Sequence, residues 1–263
     1  NDLAHNNKAQ IQIIADATDP NQATTLTNYI SSIIMDYQSE LNKQKEIPYT
    51  IETEMRMLYN PQLKGAYSSV PGVMGLILLL ISAMMTSISV VREKEFGTME
   101  ILLVSPMKPW LVIISKAVPY FILSLVNVAT ILLLSVFVLG LPIKGSLLLL
   151  IALTVLYILC ALSLGLLIST VTNSQLAAML ISLIGLMLPV IMLSGYAVPI
   201  ANMPDILQLV ANLSPAKWYI IIVKNIMIKG IGFEGVAKET LVIAGMTLIF
   251  ILISIKRFKI RLT

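Results

Sequence analysis

Apolar positions follow two regimes along the chain. Over residues 1–66 they recur at short local periods. Ile11-Gln12-Ile13 alternates ahead of Asp16, and Asp19-Pro20 offers an N-cap followed by proline at the first helical position. Leu26, Ile30, Ile33, Ile34 and Tyr37 then share one helical face, in a helix expected to run to about Asn42. Ile51, Thr53, Met55, Met57 and Tyr59 alternate with Glu52, Glu54 and Arg56, which predicts a strand. Strand, helix and strand together predict a parallel βαβ unit. One such unit is smaller than a stable domain, so 1–66 reads as part of a larger α/β domain.

From residue 67 the apolar runs are long enough to cross a bilayer, about 20 residues each. Five spans are expected, at roughly 71–91, 110–139, 146–168, 176–194 and 238–255. The last is the weakest, because Lys238 and Glu239 must sit at an interface. The segment 195–237 is opened by Gly195 and punctuated by Pro199, Pro204 and Pro215. Ile206, Leu209, Val210 and Leu213 fall at helical spacing there, as do Trp218, Ile221, Ile222 and Ile226. Two short amphipathic helices forming a re-entrant hairpin fit this pattern, with Trp218 and Tyr219 expected in the aromatic belt.

Composition narrows the class. Of 263 residues 57% are hydrophobic and 12% charged, with mean hydropathy +0.88. Soluble domains carry about 25% charged residues. No Asp or Glu lies between Glu100 and Asp205. The chain therefore reads as a multi-pass membrane protein and not a soluble enzyme. Single residues of each kind, Cys160 and His5, exclude an internal disulfide framework and a two-histidine zinc motif. The net charge of +4 does not point to nucleic acid, since four of the 18 Lys+Arg crowd the last eight residues as a membrane anchor would.

Basic residues around 92–116 and at the C-terminus place those segments on the cytoplasmic side and residues 1–66 outside. Lys217, Lys224 and Lys229 run against that rule. A polar outer segment needs a preceding membrane anchor, so a sixth span is expected upstream.

No GxxxxGK[ST] phosphate loop occurs, and the GxGxxG of Gly230–Gly235 follows a helix and not a strand, so no nucleotide cofactor is expected on this chain. No carboxylate sits within a span core, which argues against ion-coupled transport. Asn127, near the middle of the second span, is the most polar residue there; an interhelical hydrogen bond is its simplest role, and substrate contact the alternative. Ala161, Gly165 and Ser169 form a small-residue stripe suited to close helix packing. Lys116 reads as a snorkelling lysine, and Cys160 as an apolar filler.

The densest charge lies in Arg92-Glu93-Lys94-Glu95-Phe96-Gly97-Thr98-Met99-Glu100-Ile101-Leu102-Leu103-Val104-Ser105-Pro106. Charged at its start and apolar at its end, it suits either an interfacial connector or a docking element. Glu95-x-Gly97-Thr98-x-Glu100-x-Leu102-Leu103-x-x-Pro106 resembles the signature of permease subunits of type-2 ATP-binding-cassette (ABC) exporters. Asn60-Pro61, Val70-Pro71-Gly72, Leu193-Ser194-Gly195, Pro199, Met203-Pro204 and Leu213-Ser214-Pro215 extend the resemblance along nearly the whole chain.

That resemblance implies a six-span, mainly α integral membrane protein of the bacterial inner membrane, with a large outer domain and re-entrant outer helices. It implies two permease subunits, identical or different, over two cytoplasmic ATPases that carry ATP and Mg. It leaves room for a periplasmic adaptor and for lipid contacts. Residues 92–106 become the coupling helix, with Arg92, Glu93, Glu95, Glu100, Leu103 and Pro106 at the ATPase, Gly97 permitting the entry turn and Thr98 capping it. Export of a hydrophobic or amphipathic substrate is the expected function. A membrane scaffold or signal-transmission protein with an outer sensor domain and no substrate is the alternative.

Overall fold

A computed structural model describes residues 8–43, 50–98 and 109–260. The chain divides into two compact units, Asn1–Ser68 and Ser69–Thr263.

In the first unit β1 (Lys8–Asp16) and β2 (Thr50–Leu58) pair in parallel, from Lys8 opposite Thr50 to Asp16 opposite Leu58. Helix α1 (Pro20–Asn42) connects them. Asp19 caps it: the carboxylate accepts from Asn21 N at 3.1 Å and Gln22 N at 3.4 Å, while Pro20 takes the first helical turn. The helix buries Pro20, Ala23 and Thr27, whereas Leu26, Ile30, Ile33 and Tyr37 remain exposed. A two-stranded sheet is narrow, so the helix packs on it through its small residues. The alternation expected through Tyr59 ends one residue early, because Tyr59 adopts φ +68° and turns the chain out of the strand. Asn60 then closes a loop, its side chain bonding both the N–H and the carbonyl of Lys64 at 3.0 Å.

The second unit is helical. Among the described residues five helices are long and apolar enough to cross a membrane: α2 (Ala66–Glu95), α3 (Pro109–Phe137), α4 (Leu147–Val171), α5 (Gln175–Leu193) and, after the two short helices described next, α8 (Ala237–Ile260). Between α5 and α8 lie α6 (Asp205–Ala211) and α7 (Pro215–Val223), the latter continuing as a π-helical turn over Lys224–Lys229. The pair bends by 82° at its break. Prolines explain the punctuation: Pro204 precedes α6, Pro215 occupies the first turn of α7, and Pro199 precedes a 3₁₀ turn at Ile200–Asn202. Gly195 takes φ +77° directly after α5.

Helix α4 forms the centre. Ser146 and Ser174 cap α4 and α5 by accepting from Leu149 N and Ala177 N. The small-residue stripe lets α2 approach α4 so closely that a methyl on Gly165 would strike the backbone of Ala83. Ala83, Leu164 and Ile168 form a buried cluster against which Leu186 of α5 and Phe250 of α8 pack. Eight residues before Ala83 on α2, Tyr157 Oη donates to the carbonyl of Gly75 at 2.7 Å. These two levels show α2 and α4 running in the same direction, so the bundle has an Arg92 end and a Leu147 end.

Tyr219 departs from its expected place in the aromatic belt. It is fully buried, stacked on Tyr157 with ring centroids 3.9 Å apart and planes within 1°. Its hydroxyl meets Thr154 Oγ1 at 2.9 Å, which gives the polar tip a partner inside the bundle. Trp218 alone of the two stays partly exposed.

Replacing Gly165 by Ala should force α2 from α4 and cost about 1–3 kcal/mol of stability. Thermal unfolding of the purified protein in detergent will show a lower midpoint, whereas Gly185→Ala, with only Ile181 at 3.9 Å from the added carbon, will not lower it.

Candidate functional site: the charged end of the bundle

Arg92, Glu93, Lys94 and Glu95 are the last turn of α2 and not a separate helix, because nothing interrupts the helix before Phe96. The break falls at Gly97, whose φ of +71° is left-handed and suits a residue without Cβ. Arg92 and Lys94 sit where the helix dipole favours cations. Arg92 also lies over the Phe96 ring, 5.8 Å from its centroid.

Three consecutive residues of this turn reach three different helices. Glu93 Oε1 pairs with Lys116 Nζ of α3 at 2.6 Å. Lys94 Nζ donates to the carbonyl of Ser169 in the last turn of α4, one of the carbonyls a helix end leaves without a backbone partner. Glu95 Oε2 accepts from Gln175 N at 2.9 Å, the first N–H of α5. Thr98 donates its hydroxyl back to the Glu93 carbonyl at 3.2 Å and to the Glu93 carboxylate. The arrangement fastens the end of α2 to α3 and to both helices of the α4–α5 hairpin.

Several expected residues find different surroundings. Lys116 does not snorkel freely, since Glu93 offers a shorter route to a countercharge. Glu100, Leu103 and Pro106 lie outside the described residues. Asn127 is half-buried and makes no hydrogen bond among the described residues; the polar link between α2 and α3 is Ser82 with Ser124, 2.7 Å apart and buried. Sequence reasoning marked Ser169 only as a packing residue of the small-residue stripe and did not mark Gln175. They lie 75 and 80 positions from their partners, and no local pattern signals such pairing.

Among the described residues no group of three or more His, Cys, Asp or Glu converges as a metal site would. A cavity of about 360 Å³ opens between α2, α4, α5, α8 and the α6–α7 turn. Its walls are apolar, including Leu79, Leu164, Leu186, Val190 and Phe250, with Ser214 at one margin.

Span-length apolar helices with a charged turn at the end of α2 are the frame of a multi-pass membrane protein. The chain belongs to the ABC-2 transporter family: the family model described as ABC-2 family transporter protein matches residues 1–256. It is 35% identical over 228 residues to the probable multidrug ABC transporter permease YbhS of Escherichia coli (strain K12), covering 86% of this chain and 60% of that one. It is 36% identical over 221 residues to the probable multidrug ABC transporter permease YbhR of the same organism, covering 84% and 60%. Similarity to its inner membrane transport permease YhhJ is 31% over 267 residues, covering 98% and 70%. The chain thus spans about 60% of the length of the first two relatives. No solved structure matches it significantly.

A double-mutant cycle on Glu93→Gln and Lys116→Met should return a coupling energy of about 0.5–1 kcal/mol for this half-exposed pair, shrinking as salt is raised. Chemical unfolding of the four proteins at low and high salt measures it.

Proposed function

We propose that this chain is the membrane-spanning part of a permease subunit of an ATP-driven exporter, with ATP and Mg bound by a separate cytoplasmic ATPase. Family membership supports the transporter class, and the three ties made by Glu93, Lys94 and Glu95 carry the mechanistic reading. In this reading residues 92–106 face the cytoplasm and seat on the ATPase. Closure of the ATPase on ATP pushes that segment. Because Glu95 and Lys94 hold both helices of the α4–α5 hairpin, and Glu93 holds α3, the push moves three spans as one body with α2. Access then alternates at a cavity between two paired permease subunits, identical or different.

The remaining assignments follow from that orientation. Residues 1–66 lie outside as part of an extracytoplasmic α/β domain, the bent pair at 205–229 is a re-entrant outer hairpin, and the basic C-terminus is cytoplasmic in a bacterial inner membrane. An apolar interior without carboxylates in its span cores suits a hydrophobic or amphipathic substrate taken from the cytoplasm or inner leaflet. A periplasmic adaptor belongs to the same proposal, as a partner of the outer domain.

The test is reconstitution of the permease with its ATPase in proteoliposomes. Glu100→Lys should leave insertion and basal ATP hydrolysis intact and abolish substrate-stimulated hydrolysis and transport. Stimulation equal to that of the unsubstituted complex overturns the role of residues 92–106.

A further inference from the structure

Of the lysines that run against the positive-inside pattern, Lys217 lies partway along the bundle and is half-buried. Tyr157 lies about 15 Å along α4 from Leu147 at 1.5 Å per residue. Tyr219 stacks on it, so the start of α7 sits at that depth. The other end of this segment reaches the Leu147 end, where Lys144 N donates to the Met227 carbonyl at 3.0 Å and Gly230 lies against Lys144. Lys217, two residues before Tyr219 on the side away from Leu147, therefore begins about halfway through the bundle.

Its ammonium is fixed there. Nζ donates to Asn212 Oδ1 at 2.6 Å and stands 5.2 Å from the centroid of the Trp218 ring. Trp218 Nε1 donates to the Asn212 carbonyl at 2.9 Å, so one residue at the end of α6 orients both side chains. Lys238, in the first turn of α8, lies within electrostatic range of Lys217. Among the described residues no carboxylate lies within 4.0 Å of the Lys217 or Lys238 ammonium. Lys217 thus stands partway along the bundle with an amide oxygen as its partner and no carboxylate at ion-pair distance, whereas Glu234 and Glu239 flank Lys238 in the chain; a cation there favours an anionic partner.

The same turn borders the apolar cavity. Leu213, Ser214 and Pro215 line it, and Lys217 N donates to the Ser214 carbonyl at 3.2 Å. The cavity's volume of about 360 Å³ is at the low end for small-ligand pockets, about 300–1,000 Å³. One alkyl chain suits it better than two. Apolar walls beside the Lys217 cation match a molecule with one tail and one negative head.

We propose that the cavity and Lys217 form a site for an anionic single-chain amphiphile drawn from the surrounding bilayer. The tail lies against Leu79, Leu186, Val190 and Phe250. The phosphate, sulfate or carboxylate head is held by Lys217, with Lys238 adding attraction and the N–H-bonded Trp218 ring flanking it. This deepens the exporter reading by naming a substrate class, and it rests on that reading only for the fate of the bound molecule.

Binding is tested without nucleotide, on the full-length permease in phosphatidylcholine nanodiscs, with Trp218 as its sole tryptophan. Dodecyl phosphate and dodecylphosphocholine share a tail and differ in net charge. Both should change Trp218 emission saturably, dodecyl phosphate half-saturating at about tenfold lower concentration. Lys217→Gln should bring the two within about twofold, and Lys217→Arg should keep the preference. Val190→Phe, which fills the cavity, should weaken both alike by about tenfold. Inorganic phosphate alone should leave the emission unchanged. Equal affinities in the unsubstituted protein overturn the proposal, as does a preference that survives Lys217→Gln or a phosphate response matching that of dodecyl phosphate. Failure here leaves the coupling role of residues 92–106 standing, since no ATPase enters the measurement.

Discussion

A bent backbone inside a helix bundle holds only if its polar groups are met by protein, because hydrocarbon offers no hydrogen bonds. At the α6–α7 break Asn212 N, Leu213 N and Ser214 N donate to the carbonyls of Leu209, Val210 and Ala211, and Trp218 Nε1 donates to that of Asn212, while the stacked rings of Tyr157 and Tyr219 anchor α7. Tyr219 reaches Thr154, whose hydroxyl also bonds the Leu150 carbonyl at 2.7 Å, and Tyr157 reaches the Gly75 carbonyl. Three helices, α2, α4 and α7, meet at this point through side chains whose apolar bodies are buried and whose polar tips are all partnered. Around it Ile220, Ile222, Ile226 and Met227 are sealed from solvent, making α7 and the turn after it part of the core, while α6 stays largely exposed. Gly75 contributes by its missing side chain, since an added methyl would crowd Ile220 at 3.1 Å.

The aromatic knot and the charged turn hold α2 at two levels. At mid-bundle the contact is short-ranged and packed, which resists small displacements. At the Arg92 end it is ionic and partly solvated, with charges that have other partners available. In the proposed mechanism the ionic level passes on the push, and the α4–α5 hairpin moves with α2 because both of its facing ends, Ser169 and Gln175, are bonded to adjacent residues of one turn.

Most of the fold was legible from local chemistry. Asp19-Pro20 announced the start of α1 because capping and proline act within four residues. The span positions followed from runs of apolar residues whose length the bilayer dictates. The prolines at 199, 204 and 215 marked element starts for the same local reason. What the sequence hid was long-range. Tyr219 resembled an interfacial aromatic because its hydroxyl partner, Thr154, lies 65 positions away on another helix. Lys116 resembled a lone basic residue because Glu93 comes near only when α2 and α3 are side by side. The apolar stripe of α1 proved exposed within its own unit, since the surface a stripe covers depends on the width of the sheet beneath it. The charged stretch at 92–106 was legible as a unit of composition, and Gly97, where a turn was expected, takes φ +71°.

Cys160, the chain's single thiol, is wholly enclosed on the central helix. Within this chain, water-borne maleimides and methanethiosulfonates therefore meet a silent background. Reporter thiols installed at Phe96 or Thr98, beside the turn that leaves α2, can be tagged one at a time without first removing the native sulfur. The buried position thereby turns the wild-type sequence into a ready frame for spectroscopic rulers across the charged end of the bundle.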